Sequence, residues 1–126
     1  ELQKIDEAIA ISSMSIARNM NIKAIIALTE SGSTALMMSR IRSDIPIYAF
    51  TRNEYTQRRV SLYRGVISYP YKFIANTFSE VLSEVTKELL QSEMVRAGDL
   101  VLITSGFPLK VEGFTNSLRI IEINNR

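Results

Sequence analysis

Ile5, Ala8, Ile9, Ile16, Ala17 and Met20 recur at three- and four-residue spacing, the stripe of an amphipathic helix that Asn19 to Asn21 brings to an end. Ala24 to Thr29 is a short apolar run with two adjacent isoleucines, bounded by turn residues, and predicts a buried strand. A helix is predicted over Thr34 to Arg42, offering Ala35, Leu36, Met38 and Ile41 to a core. Pro46 opens a second strand, Ile47 to Thr51, and Glu54 to Tyr63 reads as a polar-faced helix stopped by Gly65. Val66 to Tyr71 is a third strand. The longest helical pattern runs from Asn76 to Val95, with Phe78, Val81, Leu82, Val85, Leu89 and Leu90 along one face. Thr77 and Glu80 have capping-box spacing at its start. Gly98 and Asp99 turn the chain into a fourth strand, Leu100 to Thr104, and Asn116 to Ile123 is the fifth.

Strands alternating with helices predict βαβ units, and continuous apolar strands fit a sheet covered on both faces. The fifth strand differs. Only Ser105 to Thr115 separates it from the fourth, and Gly106, Pro108 and Gly113 break any helix there. A parallel crossover needs a dozen or more residues and usually a helix, so this strand is expected to return antiparallel at the sheet edge. The expected fold class is α/β: a three-layer α/β/α domain over residues 1–126, with a five-stranded mixed sheet in the order 3-2-1-4-5. No repeat, low-complexity tract or linker divides the chain.

Fifteen Lys and Arg against thirteen Asp and Glu leave a net charge of +2, without the basic stripe and interleaved aromatics of a nucleic-acid binder. The chain has no Cys and no His, which excludes disulfides, thiolate chemistry, His-based triads and the usual zinc sites. No carboxylate cluster has the spacing of a metal site. The apolar runs are too short to span a bilayer and no signal-peptide pattern precedes them, so a soluble, cytoplasmic protein is expected. The chain opens on Glu1 rather than Met, as expected of a piece of something longer.

Candidate chemistry concentrates in Thr29-Glu30-Ser31-Gly32-Ser33-Thr34, between the first strand and the second helix. Four hydroxyls and a glycine crowd a helix N-terminus, where unpaired N–H groups and the helix dipole favour an anion. Gly32 lets the backbone turn tightly and approach a ligand closely. Plain N-capping by one hydroxyl is the other reading, and Glu30 is a charge of the wrong sign. In open α/β sheets ligands bind beyond the C-terminal strand ends where the strand order reverses, which places this loop and Ser105–Thr115 at one crevice. There Lys110 is either a second anion contact or a solvated charge. Arg52, after the second strand, either reaches a bound phosphate or forms a surface ion pair. Arg58, Arg59 and Arg64 read as a solvated basic face, and Met37-Met38 as packing.

Five blocks in order carry a family resemblance: Thr29-Glu30-Ser31-Gly32-Ser33-Thr34-Ala35; Pro46-Ile47-Tyr48-Ala49-Phe50-Thr51-Arg52-Asn53-Glu54; Leu62-Tyr63-Arg64-Gly65-Val66; Gly98-Asp99-Leu100-Val101; and Thr115-Asn116-Ser117-Leu118-Arg119-Ile120. Across nearly its whole length the chain resembles the C-terminal domain of pyruvate kinases. The resemblance implies a five-stranded sheet with an antiparallel last strand and an allosteric role. A sugar-phosphate group would sit on Thr29, Ser31, Gly32, Ser33 and Thr34, under a second loop containing Lys110 and Gly113. That loop carries Phe107 and Val111-Glu112-Gly113 where many relatives carry a tryptophan and a Gly-Ser-Gly stretch. The pattern is therefore closer to bacterial forms answering to AMP or sugar monophosphates than to forms activated by fructose 1,6-bisphosphate.

The resemblance also implies that phosphoryl transfer from phosphoenolpyruvate to ADP, with Mg and K, belongs to a (β/α)₈ barrel of roughly 250 residues that this chain is too short to contain. The chain itself is expected to hold no catalytic residue, metal or cofactor. Its expected partners are the effector, the remaining pyruvate kinase domains and further copies of itself through the apolar last strand. Two alternatives stand beside this: a small phosphoryl-handling enzyme, and an oligomerisation scaffold without ligand.

Overall fold

The structure, a computed structural model, describes residues 2–70, 77–106 and 115–124. In chain order the elements are α1 (Leu2–Asn19), β1 (Ile22–Leu28), α2 (Ser33–Ser39), β2 (Ile47–Thr51), α3 (Glu54–Val60), β3 (Val66–Pro70), α4 (Phe78–Gln91), β4 (Leu100–Ser105) and β5 (Ser117–Glu122). The sheet runs β3-β2-β1-β4-β5. β1 lies parallel to β2 and β4, and β2 parallel to β3. β5 returns antiparallel to β4, pairing Val101 with Ile121 and Leu102 with Ile120. Mixed α/β architecture, strand order and the reversed last strand match the reading of the sequence.

Strand alternation divides the core into two. Ile25, Ala27, Ile47, Ala49 and Leu102 face α1, α2 and α3 and pack with Ala10, Met14, Ala17, Ala35, Met38 and Val60. Ala24, Ile26, Tyr48, Phe50, Val101 and Ile103 face α4 and pack with Val81, Val85 and Leu89. On that side Tyr69 stacks on Phe50 at 5.2 Å and meets Tyr48 edge-on at 6.2 Å. Helix starts follow local chemistry. Asn53 accepts the Thr56 N–H at 3.1 Å. Thr77 accepts the Glu80 N–H at 3.2 Å, and its hydroxyl donates to the Glu80 carboxylate at 2.9 Å.

Two expectations change. The buried face of α1 is Asp6, Ala10, Ser13, Met14 and Ala17, while Ile5 and Met20 are exposed and Ile9 and Ile16 half-buried. Small side chains let α1 lie close to the sheet and to α2, and the isoleucines move to the rim. The helix after β2 ends at Val60, and Gly65, at φ +72°, belongs to the turn that leads into β3.

Candidate functional site

The loop from Thr29 to Thr34 leaves β1 at the centre of the sheet, where parallel pairing fixes its start. The Thr29 N–H donates to the Phe50 carbonyl at 3.0 Å, tying the loop to the end of β2. The Thr29 hydroxyl accepts the Gly32 N–H at 2.8 Å, and the Ser31 hydroxyl accepts the Ser33 N–H at 3.2 Å. These two turns fold the loop upon itself. Gly32, at φ +83°, stands at the N-cap of α2 and no side chain caps that helix. A Cβ on Gly32 would lie 2.8 Å from Val60 Cγ1 and 3.3 Å from Thr56 Cγ2, so α3 packs directly against the bare backbone. The Thr56 hydroxyl also donates to the Glu30 carbonyl at 2.8 Å. Arg52 lies 3.9 Å from Glu30, and this ion pair partly offsets the one acidic side chain of the loop.

The hydroxyls therefore divide by environment. Thr34 is buried and donates to the Thr115 hydroxyl at 2.7 Å. Thr115 precedes β5, and its N–H donates to the carboxylate of Asp6 on α1 at 2.5 Å. Asp6 is only 5% exposed; burial raises its pKa, and the bond from Thr115 works in the opposite direction. Asp6, Thr115 and Thr34 thus form a buried relay joining α1, the start of β5 and the first turn of α2. Ser31 is exposed and Ser33 half-buried. Each has an O–H to offer a ligand, because a hydroxyl that accepts one hydrogen bond still donates another.

Ser31 and Ser33 line a cleft of about 570 Å³ between α1, α2 and α3, with Ile11, Met37, Arg40, Ile41, Arg59 and Tyr63 among its other walls. The structure brings Thr29, Ser31, Gly32, Ser33, Thr34 and Arg52 into one region, whereas Lys110 and Gly113 lie outside the described residues. Asp6, Thr115, Arg40 and Arg59 were not singled out from the sequence as site residues. Asp6 could have been found: it shares a helical face with Ala10, Ser13 and Ala17, where an acidic residue must find a partner. Arg59 carries no such signal, since helical spacing alone gives a basic face. Among the described residues no group of three acidic side chains converges as for a metal ion. None of the described helices is long and apolar enough to cross a membrane.

Residues 7–121 match the family model described as the pyruvate kinase alpha/beta domain. The chain belongs to the C-terminal α/β domain family of pyruvate kinases. The pyruvate kinase of Buchnera aphidicola from Acyrthosiphon pisum is 42% identical over 120 residues, covering 94% of this chain and 25% of the relative. Pyruvate kinase II of Salmonella typhimurium is 39% identical over 125 residues, covering 98% and 26%. A crystal structure of a pyruvate kinase from Cryptosporidium parvum superposes with a TM-score of 0.82 at 28% identity, covering 94% of this chain and 23% of that one. The chain thus spans about a quarter of the length of the pyruvate kinases it matches. Of the five sequence blocks, the first spans the loop between β1 and α2 and the second all of β2.

Proposed function

We propose that this chain is the effector-binding and oligomerisation domain of a pyruvate kinase, and that it takes the phosphate of a sugar phosphate or of AMP on the loop Thr29–Thr34. In this reading the full-length protein transfers a phosphoryl group from phosphoenolpyruvate to ADP in the cytoplasm. That reaction uses Mg and K on a barrel that lies beyond this chain, and residues 1–126 act as one regulatory domain. Lys110 and Gly113 belong to the covering loop, and Arg52 assists by holding Glu30 away from the anion.

The observation that carries the reading is the state of the loop hydroxyls. Capping alone would use one hydroxyl at the helix N-cap. Here the N-cap, Gly32, has no side chain to cap with and Ser31 alone takes the N–H of Ser33, while Ser31 and Ser33 remain accessible at a loop whose shape is fixed by its own turns. A preformed loop with accessible hydroxyl donors suits a phosphate, because it gives up little entropy on binding.

Titration calorimetry with a panel including AMP, glucose 6-phosphate and ribose 5-phosphate tests it. At least one should bind saturably. Ser33→Glu should weaken that binding by tenfold or more, since a hydrogen bond to a charged group contributes roughly 1.5–3 kcal/mol and the new carboxylate repels the anion. Unchanged affinity in Ser33→Glu would contradict the placement.

The last strand supports the oligomeric half of the proposal. β5 pairs with β4 alone, so one of its backbone edges has no partner strand among the described residues. Only Arg119 and Glu122 place charge along it, and no proline interrupts it. A two-fold copy adding the same strand antiparallel would continue the sheet between subunits.

A further inference from the structure

The cleft between α1, α2 and α3 has a chemistry that a crevice between the β1–α2 and β4–β5 loops does not require. Its apolar lining is Ala10, Ile11, Leu36, Met37, Ile41 and Tyr63. Ile11 is 55% exposed, an apolar side chain left in water at the rim. The charged lining is Arg40 and Arg59 against one carboxylate, Glu7, an excess of one positive charge. Among the described residues neither arginine is in an ion pair. The Arg59 guanidinium lies 5.6 Å from the centre of the Tyr55 ring, one turn earlier on α3, which restrains it without neutralising it. Ser31 and Ser33 add hydroxyl donors from the adjoining loop.

An aromatic wall, an aliphatic floor and two unneutralised guanidiniums in about 570 Å³ match the size and make-up of small-molecule sites, which are mostly apolar with a few convergent polar groups. Guanidinium groups pair with carboxylate and phosphate through two parallel hydrogen bonds, so the positive rim selects an anion. The apolar floor selects a ligand with a body to bury, which a bare inorganic ion lacks. Thr34 does not take part: it is buried against Thr115.

We infer that this cleft is a second ligand site, for a small organic anion with an apolar or aromatic body, held by Arg40 and Arg59 and packed on Ile11, Met37 and Tyr63. The cleft shares Ser31 and Ser33 with the phosphate loop, but the inference is carried by Arg40, Arg59 and the apolar lining, which lie outside that loop, so it stands whether or not Thr29–Thr34 takes an effector.

Methyl NMR of the protein, titrated with phenyl phosphate, benzoate, benzyl alcohol and inorganic phosphate, tests it. Phenyl phosphate or benzoate should shift the methyls of Ile11, Met37 and Ile41 saturably, and whichever binds more tightly identifies the anion. Inorganic phosphate and benzyl alcohol should need at least ten times the concentration. Arg40→Ala combined with Arg59→Ala should weaken the aromatic anion by tenfold or more. Both positions are exposed, so folding is retained, and glucose 6-phosphate titrated into the same variant reads the loop separately. Four results would overturn the inference: no saturable shift, equal binding of inorganic and phenyl phosphate, an unaffected double variant, or loss of glucose 6-phosphate binding together with the aromatic anion.

Discussion

At the scale of single residues, Gly32 and Asp6 carry the most. Gly32 sits at positive φ with Val60 and Thr56 where a Cβ would be, so both conformation and space exclude a side chain. Gly32→Ala should cost about 2 kcal/mol or more of stability, from the left-handed backbone and from overpacking against α3. Urea denaturation measures this, and Gly98→Ala, with positive φ but open space around it, separates the two causes. Asp6 makes a pH prediction. Burial raises its folded pKa above the ordinary 3.8, so the folded state holds the proton to a higher pH than the unfolded chain does. Its contribution to stability is then fully present below about 3.8 and is lost as pH rises through the folded value. Asp6→Asn does not titrate. Relative to that variant, the wild type should lose urea resistance as the pH rises from 3.8 upward, and a constant gap would contradict the linkage. The hydroxyl-rich loop was legible in the sequence because its composition is unusual. The relay from Asp6 through Thr115 to Thr34 was not, because it joins residues 81 and 109 positions apart, which no local pattern records.

At the scale of elements, hydrophobic patterning located the four helices and five strands of the described residues, with ends displaced by a few residues. The misread face of α1 has a physical cause. Hydrophobicity ranks isoleucine above alanine, but close approach to the sheet and to α2 favours Ala10, Ser13 and Ala17, so size prevailed over apolarity. For β5 the structure adds what spacing could not, the direction of each N–H group. Ile123 donates its N–H to the Asp99 carbonyl at 2.8 Å, and antiparallel alternation then turns the N–H groups of Ile121 and Arg119 toward β4 and that of Ile120 outward. Ile120→Pro therefore removes an edge donor while sparing the ladder to β4, a position where a strand tolerates proline. Sedimentation should find a dimer for the wild type at micromolar concentration and a folded monomer for Ile120→Pro. A wild type that stays monomeric to high concentration would exclude a self-sufficient β5 interface.

At the scale of the whole molecule, two core layers enclose one sheet, and the strand order reverses at β1 and β4. The loop after β1 emerges at that reversal, where ligands of open α/β sheets bind. The β2–α3 turn clamps the loop through Phe50, Arg52 and Thr56. The place of this loop at the reversal was therefore legible once the strand order was deduced. The contents of the cleft beside it were not, since Arg40 and Arg59 come from different helices and meet only in three dimensions. In the function proposed above, the preformed loop receives an effector's phosphate. A crystal structure of the protein grown with glucose 6-phosphate or AMP tests it most directly. Phosphate density is expected within hydrogen-bonding distance of the Ser31 and Ser33 hydroxyls, with the loop backbone unchanged. An empty loop at saturating concentrations of both ligands, or density only elsewhere on the surface, would contradict it.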